Sequence, residues 1–130
     1  MQATGTFEVK MTGEPPYEEV EGVTTSRAAF EKTFAGALSA TSTVEMLAQR
    51  GPNPTQATYV ALERIAGALE GREGTFVVAH VGVMDGTSQR LELTIAPGSG
   101  TGELRGIAGS MTIEIVEGAH TYAVDYTIEE

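Results

Sequence analysis

Glycine, more than any other residue, divides this sequence into short segments. Sixteen glycines are spread along the 130 residues. The stretches between them alternate apolar and polar side chains, which is typical of a strand with one buried face. In residues 6–11, for example, Phe7, Val9 and Met11 are separated by polar side chains. The chain is therefore predicted to form many short antiparallel strands.

Eight segments carry this signal. They are residues 6–11, 24–35, 38–48, 57–69, 75–84, 89–95, 111–116 and 121–128. Parts of the second and fourth are rich in Ala, Leu and Glu, which favour helix. Their Thr, Val, Tyr and Phe residues favour strand instead. An all-β fold is the prediction, and a mixed α+β fold is the alternative.

Turn residues set the expected register. A tight reversal at residues 71–74 would place position 71 opposite 74, so that facing residues sum to 145. Glu63 then faces Gly82 and lies diagonal to His80, within reach of long side chains. The dipeptide at residues 85–86 predicts a second hairpin. A third hairpin is predicted at residues 117–118.

These registers place one set of side chains on a common face. Because Arg90, Glu92 and Thr94 belong on the solvent side, the opposite face is predicted to be the interior. Its expected members include Phe7, Ile65, Phe76, Val78, Met84, Gln89, Leu91, Leu93, Met111, Ile113, Ile115, Tyr122, Val124 and Tyr126. About eight strands with one apolar face fit a closed antiparallel barrel, which removes exposed sheet edges. A two-layer sandwich is the alternative architecture. Residues 1–130 are predicted to form one domain.

Charge and composition exclude several classes of function. The formal net charge is −10, which disfavours binding to nucleic acid or to anionic membranes. There are no cysteines and only two histidines, so no metal site and no cofactor are expected. No segment is apolar for the roughly 18–20 residues that span a bilayer. We expect a cytoplasmic protein.

Five segments together resemble a bacterial domain family of unknown function. They are GTFEVKM, FEKTFAGAL, YVALERIAGALEGREGTFVVAHVGVMDG, APGSGTGELRGIAG and GAHTYAVDYTI, and they cover nearly the whole chain. Members of that family are small β-barrels similar to allene oxide cyclase and the dirigent proteins. The resemblance implies an allene-oxide-cyclase-like barrel whose lumen takes an apolar small molecule, and relatives in that barrel class include cofactor-free cyclases.

Glu63 and His80 are the leading candidates for catalysis. Both lie on the predicted interior face, among apolar side chains. Burial raises the pKa of a carboxyl group unless a cation offsets it, and such a group suits general acid–base chemistry at neutral pH. The missing side chain of Gly82 would leave room for a ligand beside the pair. The alternative is a buried polar pair that only fixes the strand register.

Other residues are predicted to line the lumen. Lys32 shares its face with Phe30 and Phe34, and three roles are open to it: pairing with Glu63, acting as an amine nucleophile, or extending to the rim. Tyrosine hydroxyls would supply polar contacts to a ligand or lie at the barrel mouth. The predicted ligand-binding residues are Lys32, Tyr59, Phe76, Val78, Met84, Gln89, Leu91, Leu93, Tyr122 and Tyr126.

Three functions fit these features. The first is a cofactor-free isomerase, cyclase or lyase that holds a hydrophobic small molecule in its lumen. The second is a non-catalytic carrier or sensor for such a molecule. The third is a structural subunit, because Val77, Ala79, Val81 and Val83 form an outer-face run with few charges. That run predicts a homodimer.

Overall fold

The fold is built almost entirely from β-strands. A computed structural model describes residues 1–129 of the chain. The strands are β1 (Gln2–Gly13), β2 (Glu18–Val20), β3 (Val23–Gly36), β4 (Leu38–Arg50), β5 (Gln56–Leu69), β6 (Arg72–Asp85), β7 (Gln89–Ile95), β8 (Ile107–Val116) and β9 (Ala119–Ile128). A single turn of 3₁₀ helix, Gly102–Leu104, precedes β8. Within residues 1–129 no helix is long and apolar enough to cross a membrane.

The strands form one closed antiparallel barrel. Each strand from β3 to β9 pairs with the next along the chain, and β1 pairs with both β9 and β3. These two pairings of β1 close the ring of eight strands, while β2 adds only a short extension to β3. The predicted barrel is confirmed. The mixed α+β and sandwich alternatives are wrong for the described residues.

The strand boundaries follow the predictions with systematic differences. β7 matches its predicted segment residue for residue, whereas β1, β6 and β8 begin earlier than predicted. β2 was not predicted. Its three residues are all exposed, so it lacks the buried apolar face from which the other strands were recognised.

The predicted register of the hairpin between β5 and β6 is wrong, because the turn lies earlier in the chain than predicted. The turn consists of Glu70 and Gly71, whose φ angles of 48° and 85° are those of a two-residue primed turn. Leu69 therefore faces Arg72, and facing residues sum to 141 rather than 145. Both sums are odd, so every side chain keeps its predicted face. Glu63 faces Val78 instead of Gly82 and remains diagonal to His80.

The interior is filled unevenly along the barrel axis. Around the turns after β3 and β5, buried apolar side chains pack into a continuous core. They include Phe7, Phe34, Leu38, Ile65, Leu69, Phe76, Val78, Ile95, Leu104, Ile107, Tyr122 and Val124. We call this the closed end. The opposite end, at the loops after β4 and β6, carries more exposed side chains, and we call it the open end.

The barrel wall is incomplete at the open end. β7 and β8 pair only through Leu93 with Met111 and Thr94 with Ser110. The remainder of β8 continues past this contact toward its hairpin with β9. Ile115 was predicted to be interior, but 70% of it is exposed, because β7 does not pair with that part of β8 and only β9 flanks it.

Candidate functional site

Four polar side chains meet inside the barrel, on strands whose residues alternate between lumen and solvent. The Glu63 carboxylate on β5 is completely buried. Its Oε1 lies 2.8 Å from Nε2 of His80 and 3.3 Å from Nζ of Lys32. Its Oε2 accepts a hydrogen bond of 2.6 Å from the Ser42 hydroxyl. We refer to Glu63, His80, Lys32 and Ser42 as the charged cluster.

The charged cluster keeps Glu63 ionised. Burial alone would raise the pKa of this carboxyl group, but the hydrogen bond from His80, the Lys32 charge and the Ser42 hydroxyl outweigh that cost. The net effect is a pKa below the usual value of 4.5. An ionised carboxylate accepts hydrogen bonds and donates none. Both oxygens of Glu63 are therefore already engaged as acceptors.

The state of Glu63 determines which nitrogen of His80 carries a hydrogen. Because Glu63 can only accept, Nε2 of His80 must be the donor in their contact. Nδ1 has no hydrogen-bond partner in residues 1–129. In that same part of the chain, every fully enclosed side-chain nitrogen or oxygen has a partner. Nδ1 therefore keeps some accessible surface.

Above the charged cluster, the open end contains a cavity of about 530 Å³. We call it the mouth. Its inward-facing lining is mostly apolar and includes Met11, Ala28, Met46, Ala48, Ala57, Tyr59, Met84 and Leu91. Thioether side chains are flexible and adapt to differently shaped ligands. The mouth is therefore a largely apolar cavity whose lining can adjust in shape.

Tyr59 forms part of the floor of the mouth. A Cβ atom added to Gly82 would lie 2.2 Å from Cε1 of the Tyr59 ring, so the ring occupies the space beside this glycine. The predicted vacancy for a ligand at Gly82 is thus filled by the protein itself. The ring centroid lies 6.4 Å from that of His80, one layer deeper. Burial and the Glu63 charge raise the pKa of Tyr59, so its hydroxyl remains a hydrogen-bond donor.

The predicted ligand-binding residues separate into four groups. Tyr59, Met84, Gln89 and Leu91 line the mouth. Phe76, Val78 and Leu93 are buried in the core beneath it. Lys32 belongs to the charged cluster rather than to the rim, with Nζ 4.8 Å from the centre of the Phe7 ring.

The two remaining predicted tyrosines act at the closed end. The Tyr122 hydroxyl accepts a 2.8 Å hydrogen bond from the backbone N–H of Leu38 and donates to the carbonyl of Ala35. The Tyr126 hydroxyl donates to Glu70, and burial together with that carboxylate raises the pKa of Tyr126 to about 12. Both hydroxyls form hydrogen bonds with residues at the turns of the closed end, and neither tyrosine lines the mouth.

Sequence reasoning missed Ser42 and two methionines of the mouth, Met11 and Met46. Ser42 shares the inward face of its strand with Ala40 and Val44, and that parity was a usable signal. Met46 follows on the same face. Met11 lay in a predicted strand, but its place at the rim depends on the pairing of β1 with β3. Among residues 1–129, no three His, Asp or Glu side chains form a group that could hold a metal ion.

Comparison with known proteins places this barrel in a family. The family model for DUF3224, described as a protein of unknown function, matches residues 3–126. The chain belongs to the DUF3224 family. A solved crystal structure of a DUF3224 protein of unknown function from Shewanella oneidensis MR-1 is 44% identical. The match covers 100% of this chain and 98% of that one, with a TM-score of 0.93. A comparison with curated proteins found no match.

Proposed function

We propose that this DUF3224 barrel binds an apolar small molecule in its mouth. The observation that carries the proposal is the cavity of about 530 Å³, whose inward lining is largely apolar. Small-molecule sites typically have volumes of about 300–1,000 Å³, with mostly apolar walls and a few polar groups. The resemblance to allene-oxide-cyclase-like barrels supports the same class of ligand.

The charged cluster supports binding more directly than it supports catalysis by Glu63. A general base must reach the proton that it abstracts and needs a pKa near the working pH. Glu63 is completely buried, both of its oxygens already accept hydrogen bonds, and its pKa lies below the usual value. Its more evident effect is to hold His80 and Lys32 in fixed positions beneath the mouth.

A second candidate function is proton transfer by His80 in a cofactor-free isomerase, cyclase or lyase. The observation that favours it is the unpartnered Nδ1, with Nε2 held by an ionised carboxylate. A related arrangement, with the roles of the two ring nitrogens exchanged, orients the histidine of a hydrolase triad. In this scheme His80 is the base and Glu63 the positioning residue. Replacing His80 by Ala would then lower turnover by about 10²–10⁴-fold while ligand binding persists.

Binding in the mouth is tested with the neutral, environment-sensitive dye Nile red. We expect saturable binding at one site. Ala48 is half-buried on β4, between Ser26 and Tyr59 on the neighbouring strands. Ala48→Phe should fill the mouth and weaken binding about tenfold or more, which corresponds to about 1.4 kcal/mol. The measurement is a fluorescence titration of each variant.

The matched control is Thr41→Phe. Thr41 lies on the same strand but faces solvent, so this variant adds the same ring outside the barrel. Its dye affinity should equal that of the wild type. Equal affinities for the wild type and Ala48→Phe would place the dye elsewhere and remove the support for a site in the mouth.

A further inference from the structure

Three tyrosines face the interior of the barrel, and they differ in what their hydroxyl groups contact. The Tyr122 hydroxyl is bonded to backbone groups on both sides of the turn after β3, and the Tyr126 hydroxyl donates to Glu70. Within residues 1–129 the Tyr59 hydroxyl forms no hydrogen bond, whereas every fully enclosed side-chain nitrogen or oxygen has a partner, so this hydroxyl keeps accessible surface. Tyr59 is therefore the inward tyrosine whose hydroxyl can bind a ligand.

The Tyr59 ring is held against β6 inside the mouth. Tyr59 faces Gly82 across the pair of β5 and β6, and both residues line the mouth. A Cβ atom at Gly82 would lie 2.2 Å from Cε1 and 3.1 Å from Cζ of the ring. Because Cζ carries the hydroxyl, the hydroxyl-bearing edge of the ring lies beside this buried glycine. The donor is thus inside the cavity and not at the outer edge of the barrel.

The residues that flank Tyr59 on the inward face are small or apolar. Facing pairs across five strands form one row that consists of Ser26, Ala48, Tyr59, Gly82 and Leu91. Ala48 separates Tyr59 from Ser26, and Leu91 lies beyond Gly82. Small-molecule sites typically combine apolar walls with a few polar groups that fix the orientation of the ligand. A molecule that suits this row has an apolar body and an acceptor for the Tyr59 hydroxyl.

The charge of Glu63 favours a neutral acceptor over an anionic one. Burial and the negative charge of Glu63 together raise the pKa of Tyr59, so the hydroxyl keeps its proton and donates. The same negative charge opposes a second anion placed at this hydroxyl. A carbonyl oxygen accepts a hydrogen bond without carrying a formal charge.

We propose that the ligand of the mouth is a neutral apolar carbonyl compound, such as a ketone, an aldehyde or an ester, whose oxygen accepts a hydrogen bond from the Tyr59 hydroxyl. This inference rests on the proposed binding function and specifies the class of ligand. The carbonyl group lies beside Gly82, and the apolar body of the ligand packs against side chains such as Met84 and Leu91. A hydrogen bond of this kind contributes about threefold to tenfold in affinity.

The test uses hexanophenone and hexylbenzene, two neutral compounds that differ only in that a CH₂ group of hexylbenzene replaces the carbonyl group. Both are titrated into the wild type and into Tyr59→Phe, with displacement of Nile red and calorimetry as readouts. Tyr59→Phe should weaken the binding of hexanophenone about threefold to tenfold and leave the affinity for hexylbenzene unchanged. Because each ligand is compared with itself, the different costs of removing the two compounds from water cancel. The anion para-pentylbenzoate should bind to the wild type at least tenfold more weakly than hexanophenone.

The carbonyl group of the bound ligand gives a readout that a purely structural role of Tyr59 would not change. A hydrogen bond to the oxygen weakens the C=O bond and lowers its stretching frequency. Isotope-edited infrared spectroscopy of hexanophenone labelled at the carbonyl carbon should therefore show a lower frequency in the wild type than in Tyr59→Phe. The melting temperature of Tyr59→Phe should equal that of the wild type, since the hydroxyl has no partner within residues 1–129 to lose.

Tyr17→Phe is the matched control, because it removes the same hydroxyl from an exposed ring that does not line the mouth. Its affinities for both compounds should equal those of the wild type. The inference is overturned if Tyr59→Phe changes neither the affinity for hexanophenone nor the carbonyl frequency, or if para-pentylbenzoate binds more tightly than the ketone. The proposed apolar site then stands on the separate dye titration of Ala48→Phe. If neither compound nor the dye binds, both proposals are overturned.

Discussion

At the scale of single residues, Glu63 shows how a buried charge is accommodated in this barrel. Its position beside His80 was predictable because alternation along a strand fixes the face of each side chain. Its ionisation was less accessible to sequence reasoning, because it depends on Lys32 and Ser42, which β3 and β4 supply. The contacts of Glu63 thus come from three strands besides its own.

The structure predicts a large cost for removing the charge of Glu63. Glu63→Gln keeps the shape of the side chain but leaves the buried Lys32 without its anion. Breaking a buried ion pair in this way costs about 3–5 kcal/mol, so the free energy of unfolding should fall by about that amount in chemical denaturation. The double variant Glu63→Gln/Lys32→Met is the control. It should be more stable than the single variant, since both charges are removed. A single variant as stable as the wild type would contradict the role given to the ion pair.

The same carboxyl group predicts how acid affects stability. The pKa of Glu63 in the folded protein lies below the usual value of 4.5. Its stabilising effect is therefore fully present above about pH 4.5 and is lost as the pH falls through the folded-state pKa. The melting temperature of the wild type should drop more steeply below pH 4.5 than that of Glu63→Gln.

At the scale of elements, the hairpin of β5 and β6 shows which parts of a register the sequence determines. The two glycines at 71 and 74 allowed more than one placement of the turn. The observed turn uses Gly71 at its second central position, with Glu70 in the left-handed region before it. Each side chain still lies on its predicted face, because the sums of facing residue numbers in the two placements differ by an even number. The predicted pairs of facing residues were wrong, and the predicted space at Gly82 depended on those pairs.

The close packing of Tyr59 against Gly82 can be tested directly. Gly82→Ala would place a methyl group 2.2 Å from the ring, so the ring must move or the strands must separate. Overpacking of this kind costs about 1–3 kcal/mol. We expect that loss in the free energy of unfolding, together with a changed near-ultraviolet circular dichroism signal from Tyr59.

Gly13→Ala provides the matched control for Gly82→Ala. Gly13 ends β1, and an added Cβ there has no atom within 4 Å. Its free energy of unfolding should be close to that of the wild type. Equal stability of the two alanine variants would show that the Tyr59 ring is not held against Gly82.

At the scale of the whole molecule, the barrel and several inward-facing residues of its mouth were predictable from the sequence, whereas the position of the mouth along the barrel axis was not. Each strand revealed its inward face by local alternation, and eight such strands fit a closed ring. The position of the mouth depends on how side chains from many strands fill successive levels of the lumen. Large residues such as Phe7, Phe34 and Phe76 meet at the closed end, while alanines and methionines reach the open end.

The outer surface of the barrel carries an exposed apolar patch. Leu47, Val60 and Val81 are direct neighbours on β4, β5 and β6, and all three are exposed. Leu62 continues this patch, and 60% of it is exposed. The sequence had pointed to Val77, Val81 and Val83. Those three valines lie on β6, and the exposed patch also includes residues of β4 and β5.

The patch, together with its flanking charges, suits a second copy of the same chain. Glu45 faces Leu62 from β4, and Arg64 lies two residues beyond Leu62 on the same face of β5. Neither forms a salt bridge within residues 1–129. A twofold axis that exchanges these two positions would bring Glu45 of each copy against Arg64 of the other, which is the reciprocal arrangement of a symmetric dimer. Arg64 and Glu45 would then fix the register of an otherwise apolar contact.

We therefore expect the chain to form a homodimer through this face at tens of micromolar, measured by sedimentation equilibrium. Leu62→Arg should shift the population to monomer, because it buries an unpaired charge at the centre of the contact. Thr41→Arg adds the same charge on an exposed site of β4 away from the patch and should leave the dimer intact. The charge swap Glu45→Arg/Arg64→Glu should restore association that either single substitution weakens. A wild-type protein that sediments as a monomer throughout this concentration range would rule out this arrangement.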